Sequence, residues 1–326
     1  MTGSAKQRIG LSRSLRLGGL LIFLLFVALT IAVLLGSEKL SFFELNEQQR
    51  AILFDIRLPR VLLGASVGAC LAVAGASLQS LLRNPLAEPY LLGVSNGAAL
   101  GTMLAFVFFA NFEFSRPICA FLGAGIATFA VYRMAKSRAG MNTERLVLSG
   151  VIITTFLSSI IVLLTTLLDT TKLRSFTFWL LGDLSQATLN GFYLTIAIAV
   201  VGTIVLSSQA RALNLMMIGE RDALDFGVEV GRVRLIVFAT ASALVGLSVA
   251  ASGSVGYVGL IIPHIVRLAV GSDNRLVVPF SAISGAIFVV LADTFARTAI
   301  APRELPVGAI TALIGAPVFI YLLRRN

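Results

Sequence analysis

Ten stretches with little or no charge follow one another along this chain: 17–36, 61–82, 90–112, 117–132, 146–168, 184–210, 235–252, 255–271, 276–296 and 305–323. An α-helix needs about 20 apolar residues to cross a hydrocarbon core roughly 30 Å thick, and most of these runs approach that length. In lipid the backbone must satisfy its own hydrogen bonds, which leaves helices as the way to use such runs. The expected fold class is therefore an all-α polytopic membrane protein with ten transmembrane helices. The apolar stretch from Leu235 to Val266 is too long for one crossing. It divides at SGSVGYVG (252–259), where glycines and serines interrupt the pattern. Composition agrees: 57% of the residues are hydrophobic and 13% charged, against about 25% charged in soluble domains.

An even number of crossings puts both termini on one side. With the N-terminus inside, the inner segments hold 17 of the 26 Lys and Arg residues, so both ends are expected to be cytoplasmic. Residues 1–16 then form a cytoplasmic segment and 17–326 one transmembrane domain, whose longest inner connection covers 211–234. The first run follows four basic residues but is about twice as long as a signal-peptide core. It shows no small-residue cleavage site before Glu38, so it is read as a span. The net charge of +10 is spread between spans and forms no single patch, which points to a membrane surface and not to nucleic acid. Cys70 and Cys119 offer neither a disulfide framework nor metal-ligand spacing. The piece SFTFWLLG (175–182), with the sole tryptophan Trp179, is too short to cross and reads as an interfacial or re-entrant helix.

Several chemistries lack their residues. A phosphate-binding loop needs Gly-Lys-Ser/Thr, yet none of the four lysines (Lys6, Lys39, Lys136, Lys172) follows a glycine. A gradient-driven carrier usually buries ionisable groups near the middle of the membrane, and almost none is found here; Asp293 and His264 lie toward the ends of their spans. His264 reads as a packed structural residue more readily than as a proton relay. A membrane enzyme would need a nucleophile with its base or clustered metal ligands, and scattered serines with one histidine supply neither. No cofactor or metal is expected on this chain. What remains is a pathway powered from elsewhere, with an ion- or proton-coupled secondary carrier as the alternative.

The apolar pattern breaks most sharply at RNPLAEPYLLGVSNGAALG (83–101). Pro85 and Pro89 are expected to stop the preceding helix and stiffen an inner turn. Gly93, Gly97 and Gly101, four apart, are expected to form one stripe along the next span for close helix packing, with Asn96 bonding across it. In the fifth span Thr154, Thr155, Ser158 and Ser159 either line a pore or join helices; both readings stand.

That stretch, with IRLPR (56–60), GYVGLIIPHIVRL (256–268), LADTFAR (291–297) and ELPVGAITALIGAPVFIYLL (304–323), resembles the membrane permeases of ABC importers for iron chelates, haem and cobalamin. The likeness runs in matching order from about residue 50 to the C-terminus. It implies a homodimer in the bacterial or archaeal plasma (inner) membrane, with the translocation path at its axis. Two copies of a cytoplasmic ABC ATPase would hydrolyse ATP, and an external binding protein would deliver a ferric siderophore, cobalamin or haem. It also implies roles for residues. Arg57, Arg60 and Arg297 would grip acidic groups of the binding protein, as guanidinium forks suit carboxylates; snorkelling at a span end is the alternative for Arg57 and Arg60, set against their place on the side where positive charge is disfavoured. Asn84 and Leu86 would form a cytoplasmic gate. Glu220, Ala223 and Gly227 match a Glu-xx-Ala-xxx-Gly pattern of the segment that couples to the ATPase.

Overall fold

The segment LPRVLLGASVGACLAVAGASLQSL is apolar or small on every face, the mark of a helix enclosed by protein. It forms α3 (Leu58–Leu81), and nearly every residue in it is buried. The computed structural model describes residues 11–36, 46–109, 112, 115–137, 140–141 and 143–325. Residues 1–10, most of the expected N-terminal segment, lie outside the described residues, as do Lys39 and Arg138 of the charge tally.

The helices before α3 are α1 (Leu11–Leu34) and α2 (Glu47–Ala51), which runs through a π-helical stretch at Ile52–Arg57 into α3. After it come α4 (Val94–Phe108), α5 (Ser115–Ala135), α6 (Thr143–Thr165), α7 (Thr170–Leu180), α8 (Leu189–Ser208), α9 (Ala210–Ile218) and α10 (Glu220–Asp225). The chain closes with α11 (Val230–Ser252), α12 (Val258–Val270), α13 (Asn274–Thr298) and α14 (Val307–Arg325). A two-residue antiparallel pair, β1 (Lys136–Ser137) with β2 (Gly140–Met141), follows α5. Among the described residues, seven helices are long and apolar enough to cross a membrane: α1, α2–α3, α5, α6, α8, α11 and α13. The other three expected crossings fall on α4, α12 and α14, whose apolar portions are shorter. The 13 residues of α12 rise only about 20 Å. The expected break at 252–259 is real, since α11 ends at Ser252 and α12 starts at Val258.

α3 is the central pillar, packed by α13, α11, α8 and α12. Backbones meet at glycines. A Cβ on Gly68 would fall on the carbonyl of Gly285, one on Gly75 on that of Gly259, and one on Gly97 on that of Gly123. Close approach replaces the hydrophobic driving force that helices lack in lipid. Around this core, Phe23 and Phe26 of α1, Ile126 and Phe129 of α5, Phe156 and Leu163 of α6 and Ile204 of α8 stand exposed, as a lipid-facing surface requires.

Candidate functional site

The N-terminal end of α3 holds a buried charge cluster. Arg60 grips Asp293 of α13, its Nε and Nη2 donating at 3.0 and 2.9 Å, and its Nη1 donates to Glu304 at 2.8 Å. Arg297, one turn beyond Asp293, places its Nε 3.5 Å from that carboxylate, an ion pair without hydrogen-bond geometry, and donates through Nη2 to the carbonyl of Ala32. Arg57 donates to the carbonyls of Val33 and Leu34, where α1 ends with its last acceptors unused. All three arginines are buried within the chain. Neither sequence reading of them, outward docking or snorkelling, describes this arrangement. Arg57 and Arg297 hold α1 against the bundle, because burial without a partner costs a charge several kcal/mol. Arg60 alone of the three lines an open cavity of about 620 Å³, shared with Arg174, Asp183, Arg303 and Glu304. α7 borders it through Arg174 and Phe178 and is anchored by Phe176, which stacks on Trp179 and meets Phe106 edge-on.

At the other end, α3 closes in a left-handed turn: Asn84 N–H reaches Gln79 O, Arg83 N–H reaches Ser80 O, and Arg83 has φ 49°. The helix thus stops at Leu81, before either proline. Pro85 sits in the turn that follows, and Pro89 opens a 3-10 turn, Pro89–Leu92. The Asn84 carboxamide accepts from Leu86 N–H at 2.9 Å, which leaves Asn84 to Leu86 as an exposed, self-braced knuckle. The returning strand is pinned to the α11–α12 connection. Glu88 Oε1 accepts from Tyr257 N–H at 3.0 Å, and the Tyr90 hydroxyl exchanges hydrogen bonds with Val255 O and N. Burial pushes the Glu88 carboxyl above the usual range, and the Tyr257 N–H offsets part of this.

The expected 211–234 segment divides into α9, α10 and the first turn of α11. Glu220 Oε1 accepts from Arg234 at 2.5 Å and from Arg83 at 3.4 Å. Ala223 is fully buried in its own chain. Gly227, at φ 77°, ends α10 and has nothing within 4 Å of its missing side chain. Ala223 therefore faces inward, and the half-exposed Glu220 ties the segment to the bundle through Arg234 and Arg83. Turned outward instead are Ile218 (73% exposed), Leu224 (57%) and Phe226 (72%). Ile218 and Phe226 went unread in the sequence, where only their spacing on two short helices could have marked them. The α9–α10 pair is an apolar shelf.

The glycine stripe of α4 is shorter than expected. Gly97 meets Gly123 and Ala127, and Gly101 meets the Cys119 carbonyl, all on α5. Gly93 precedes the helix at φ 76° and faces Ile153 of α6 instead, because a left-handed residue starts α4 there. Asn96 bonds to α6 and not across the stripe, donating to Thr154 O at 3.1 Å and Ser158 Oγ at 2.6 Å. Ser158 thus joins helices, while Thr154 is half-buried beside it. Thr155 and Ser159 stand exposed, with hydroxyls returned to the carbonyls of Val151 and Thr155. His264 Nε2 is buried with no hydrogen-bond partner among the described residues, and no three of their His, Cys, Asp and Glu side chains gather as a metal site would need.

This architecture has relatives. Over 282 residues the chain is 43% identical to the cobalamin import system permease BtuC of Halobacterium salinarum, covering 86% of this chain and 76% of that protein. It is 38% identical over 322 residues to the hemin transport system permease HmuU of Yersinia pestis, covering 96% of each. Among solved structures, a metal-chelate-type ABC transporter in an inward-facing conformation superposes with a TM-score of 0.87 at 33% identity, covering 95% of this chain and 99% of that one. Residues 20–325 match the FecCD transport family, and this multi-pass membrane protein belongs to it.

Proposed function

We propose that the chain is the permease subunit of an ATP-driven importer for a metal chelate, working as a homodimer in the plasma (inner) membrane of a bacterium or archaeon. All ten apolar helices count as crossings, with α4, α12 and α14 the short ones and both termini cytoplasmic. The observation that carries the reading is the α9–α10 shelf. Three apolar side chains stand in the open on a short-helix pair that Glu220 and Ala223 hold rigidly to the bundle. Exposed apolar groups rimmed by charge, here Arg221, Asp222 and Asp225, mark a protein contact. Two ABC ATPase subunits would take that contact and supply the hydrolysis for which this chain has no Gly-Lys-Ser/Thr loop. The permease carries no cofactor in this scheme.

The exposed Asn84–Leu86 knuckle would form the inner gate, and Thr155 and Ser159 a mildly polar stretch of the path. An external binding protein would meet the Arg60 end, where the half-exposed Glu304 lies over Arg60 and an incoming carboxylate could compete for the guanidinium. Relatives named for cobalamin and hemin import support those two as cargoes to try, with a ferric siderophore beside them. The test is reconstitution in proteoliposomes with the ATPase and binding protein, followed by uptake of labelled cobalamin, haem and a ferric siderophore. ATP-dependent uptake of one of them, lost in Phe226→Asp, is the expected result. Uptake by the chain alone under a proton or sodium gradient would establish the secondary carrier instead.

A further inference from the structure

A line of polar side chains, half-buried at Asn214 and fully buried at Asn274 and Ser80, runs from the α9–α10 shelf to the last turn of α3, and neither the packing nor the gate described above uses it. The Asn214 carboxamide of α9 accepts from the Asn274 backbone N–H at 2.9 Å and from Asn274 Nδ2 at 2.8 Å, and its own Nδ2 donates to Asp273 at 2.7 Å. Asn274, the first residue of α13 and wholly buried, accepts in turn from Ser80 Oγ at 2.7 Å. Ser80 lies one residue before the end of α3, and its hydroxyl also receives Arg267 Nη2 from α12 at 3.3 Å. Arg83, three residues on, reaches Glu220 at the far side of the shelf.

Two routes therefore connect the shelf to the point where the 82–88 knuckle leaves α3. One is exposed and ionic, Glu220 to Arg83. The other is buried and directional, Asn214 to Asn274 to Ser80. Apolar residues of similar size would pack these positions without desolvating two amides and a hydroxyl, so stability alone does not account for them. What hydrogen bonds add is register: amides and a hydroxyl meet at one offset, whereas apolar groups slide.

We infer that Asn214, Asn274 and Ser80 are positioning residues that lock the shelf in register with the last turn of α3, so that displacement of the shelf by its partner moves the Asn84–Leu86 knuckle. The inference rests on the shelf being the ATPase contact. The Ser80 and Asn274 side chains are neither among the shelf's exposed apolar groups nor among residues 84–86, so their replacement separates hydrolysis from movement.

The experiment uses the complete transporter, with its ATPase and binding protein, in proteoliposomes. Ser80→Ala removes one hydroxyl and almost no volume; Asn274→Ala removes the side-chain bonds to both Asn214 and Ser80 and leaves the backbone N–H bond to Asn214. Chelate transported per ATP hydrolysed should fall by roughly 2- to 30-fold, the range over which single residues modulate coupling between sites. The rate of hydrolysis should stay near the wild-type value. The two substitutions together should cost no more than Asn274→Ala alone, because both cut one line. Ser80→Thr, which keeps the hydroxyl, should restore the ratio. Transport and hydrolysis falling in parallel, an unchanged ratio in both variants, or fully additive effects would overturn the inference. If Asn274→Ala fails to assemble, the Ser80 pair decides by itself. A wild-type complex that retains no ATPase or shows no ATP-dependent uptake would instead overturn the importer reading, so the two failures are told apart.

Discussion

Asp293→Ala tests the charge cluster at the N-terminal end of α3. Asp293 is 2% exposed and accepts three hydrogen bonds from Arg60 while sitting beside Arg297. Without it, Arg60 keeps only Glu304, whose side chain is 43% exposed and so screened by water. Arg297 keeps the Ala32 carbonyl and the weak Thr294 contact. Removing one side of a buried ion pair typically costs 3–5 kcal/mol, and the residual Glu304 bond puts this site near the lower end, about 3 kcal/mol. Asp293→Asn keeps the shape and one acceptor and should cost less, about 1.5–2 kcal/mol, the worth of a lost charged hydrogen bond. Denaturant titration of the purified protein in mixed micelles reads both. The double variant Arg60→Met with Asp293→Leu removes charge from both sides. It should be more stable than Asp293→Ala alone, because the Arg60 guanidinium is no longer left buried without its carboxylate, Arg297 keeps the Ala32 carbonyl, and Glu304 can turn to water. A loss below 1 kcal/mol in Asp293→Ala, or a double variant as unstable as the sum of its parts, would refute the cluster as the anchor of this end. Arg60→Ala with full stability and failed binding-protein capture would restore the docking role in its original form.

Gly75→Leu should prevent assembly of the bundle, since a Cβ there already falls on the backbone of Gly259; normal yield of folded, monodisperse protein would contradict the crossing. Glu88 is raised above its ordinary value, so the folded state favours its neutral form, and the stability tied to that proton is present below the ordinary carboxyl range and lost as pH rises through the raised value. Glu88→Gln, which keeps an acceptor for Tyr257 N–H, should therefore melt higher than wild type at neutral pH, with the gap closing as pH falls toward the ordinary carboxyl value; a gap that persists in acid would count against it. Asn96→Leu should loosen α4 from α6 by about 1 kcal/mol, the typical worth of an interhelical hydrogen bond in membranes, read as faster cross-linking or proteolysis at their ends.

The crossings were legible because hydropathy is a local sum, and a window of residues reveals it without knowledge of neighbours. The same holds for the α11–α12 break, where Ser252, Gly253 and Gly256 interrupt an apolar run. The fate of the arginines was not legible. Arg60 lies 233 residues from Asp293, and a guanidinium at a span end looks the same whether its carboxylate lies in the chain or in another protein. The pairing of Glu220 with Arg83 was hidden for a like reason, since Arg83 is 137 residues away. Some of the missed packing did leave a trace. Gly64, Gly68, Ala72 and Ala76 recur every four residues in α3, and that spacing marks a helix face prepared for close contact. Gly93, by contrast, shares the spacing of Gly97 and Gly101 but not their face, because periodicity cannot show that a helix starts one residue later.

The two ends of α3 are held differently, and that difference bears on which of them can move. At its start, charges of α3 and α13 close on one another out of water, with the half-exposed Glu304 over them, a knot that any shift would break at several kcal/mol. At its other end, the knuckle at 84–86 is exposed and braced by its own Asx turn, and the bonds that hold it from outside come from the shelf and the α11–α12 connection. Regions with few buried contacts open at low cost, while buried networks open only with the whole fold. A force applied at α9–α10 would therefore be resisted at the Arg60 end and yielded to at the knuckle. In the importer proposed above, that would make the knuckle the moving mouth and the Arg60 end the fixed frame.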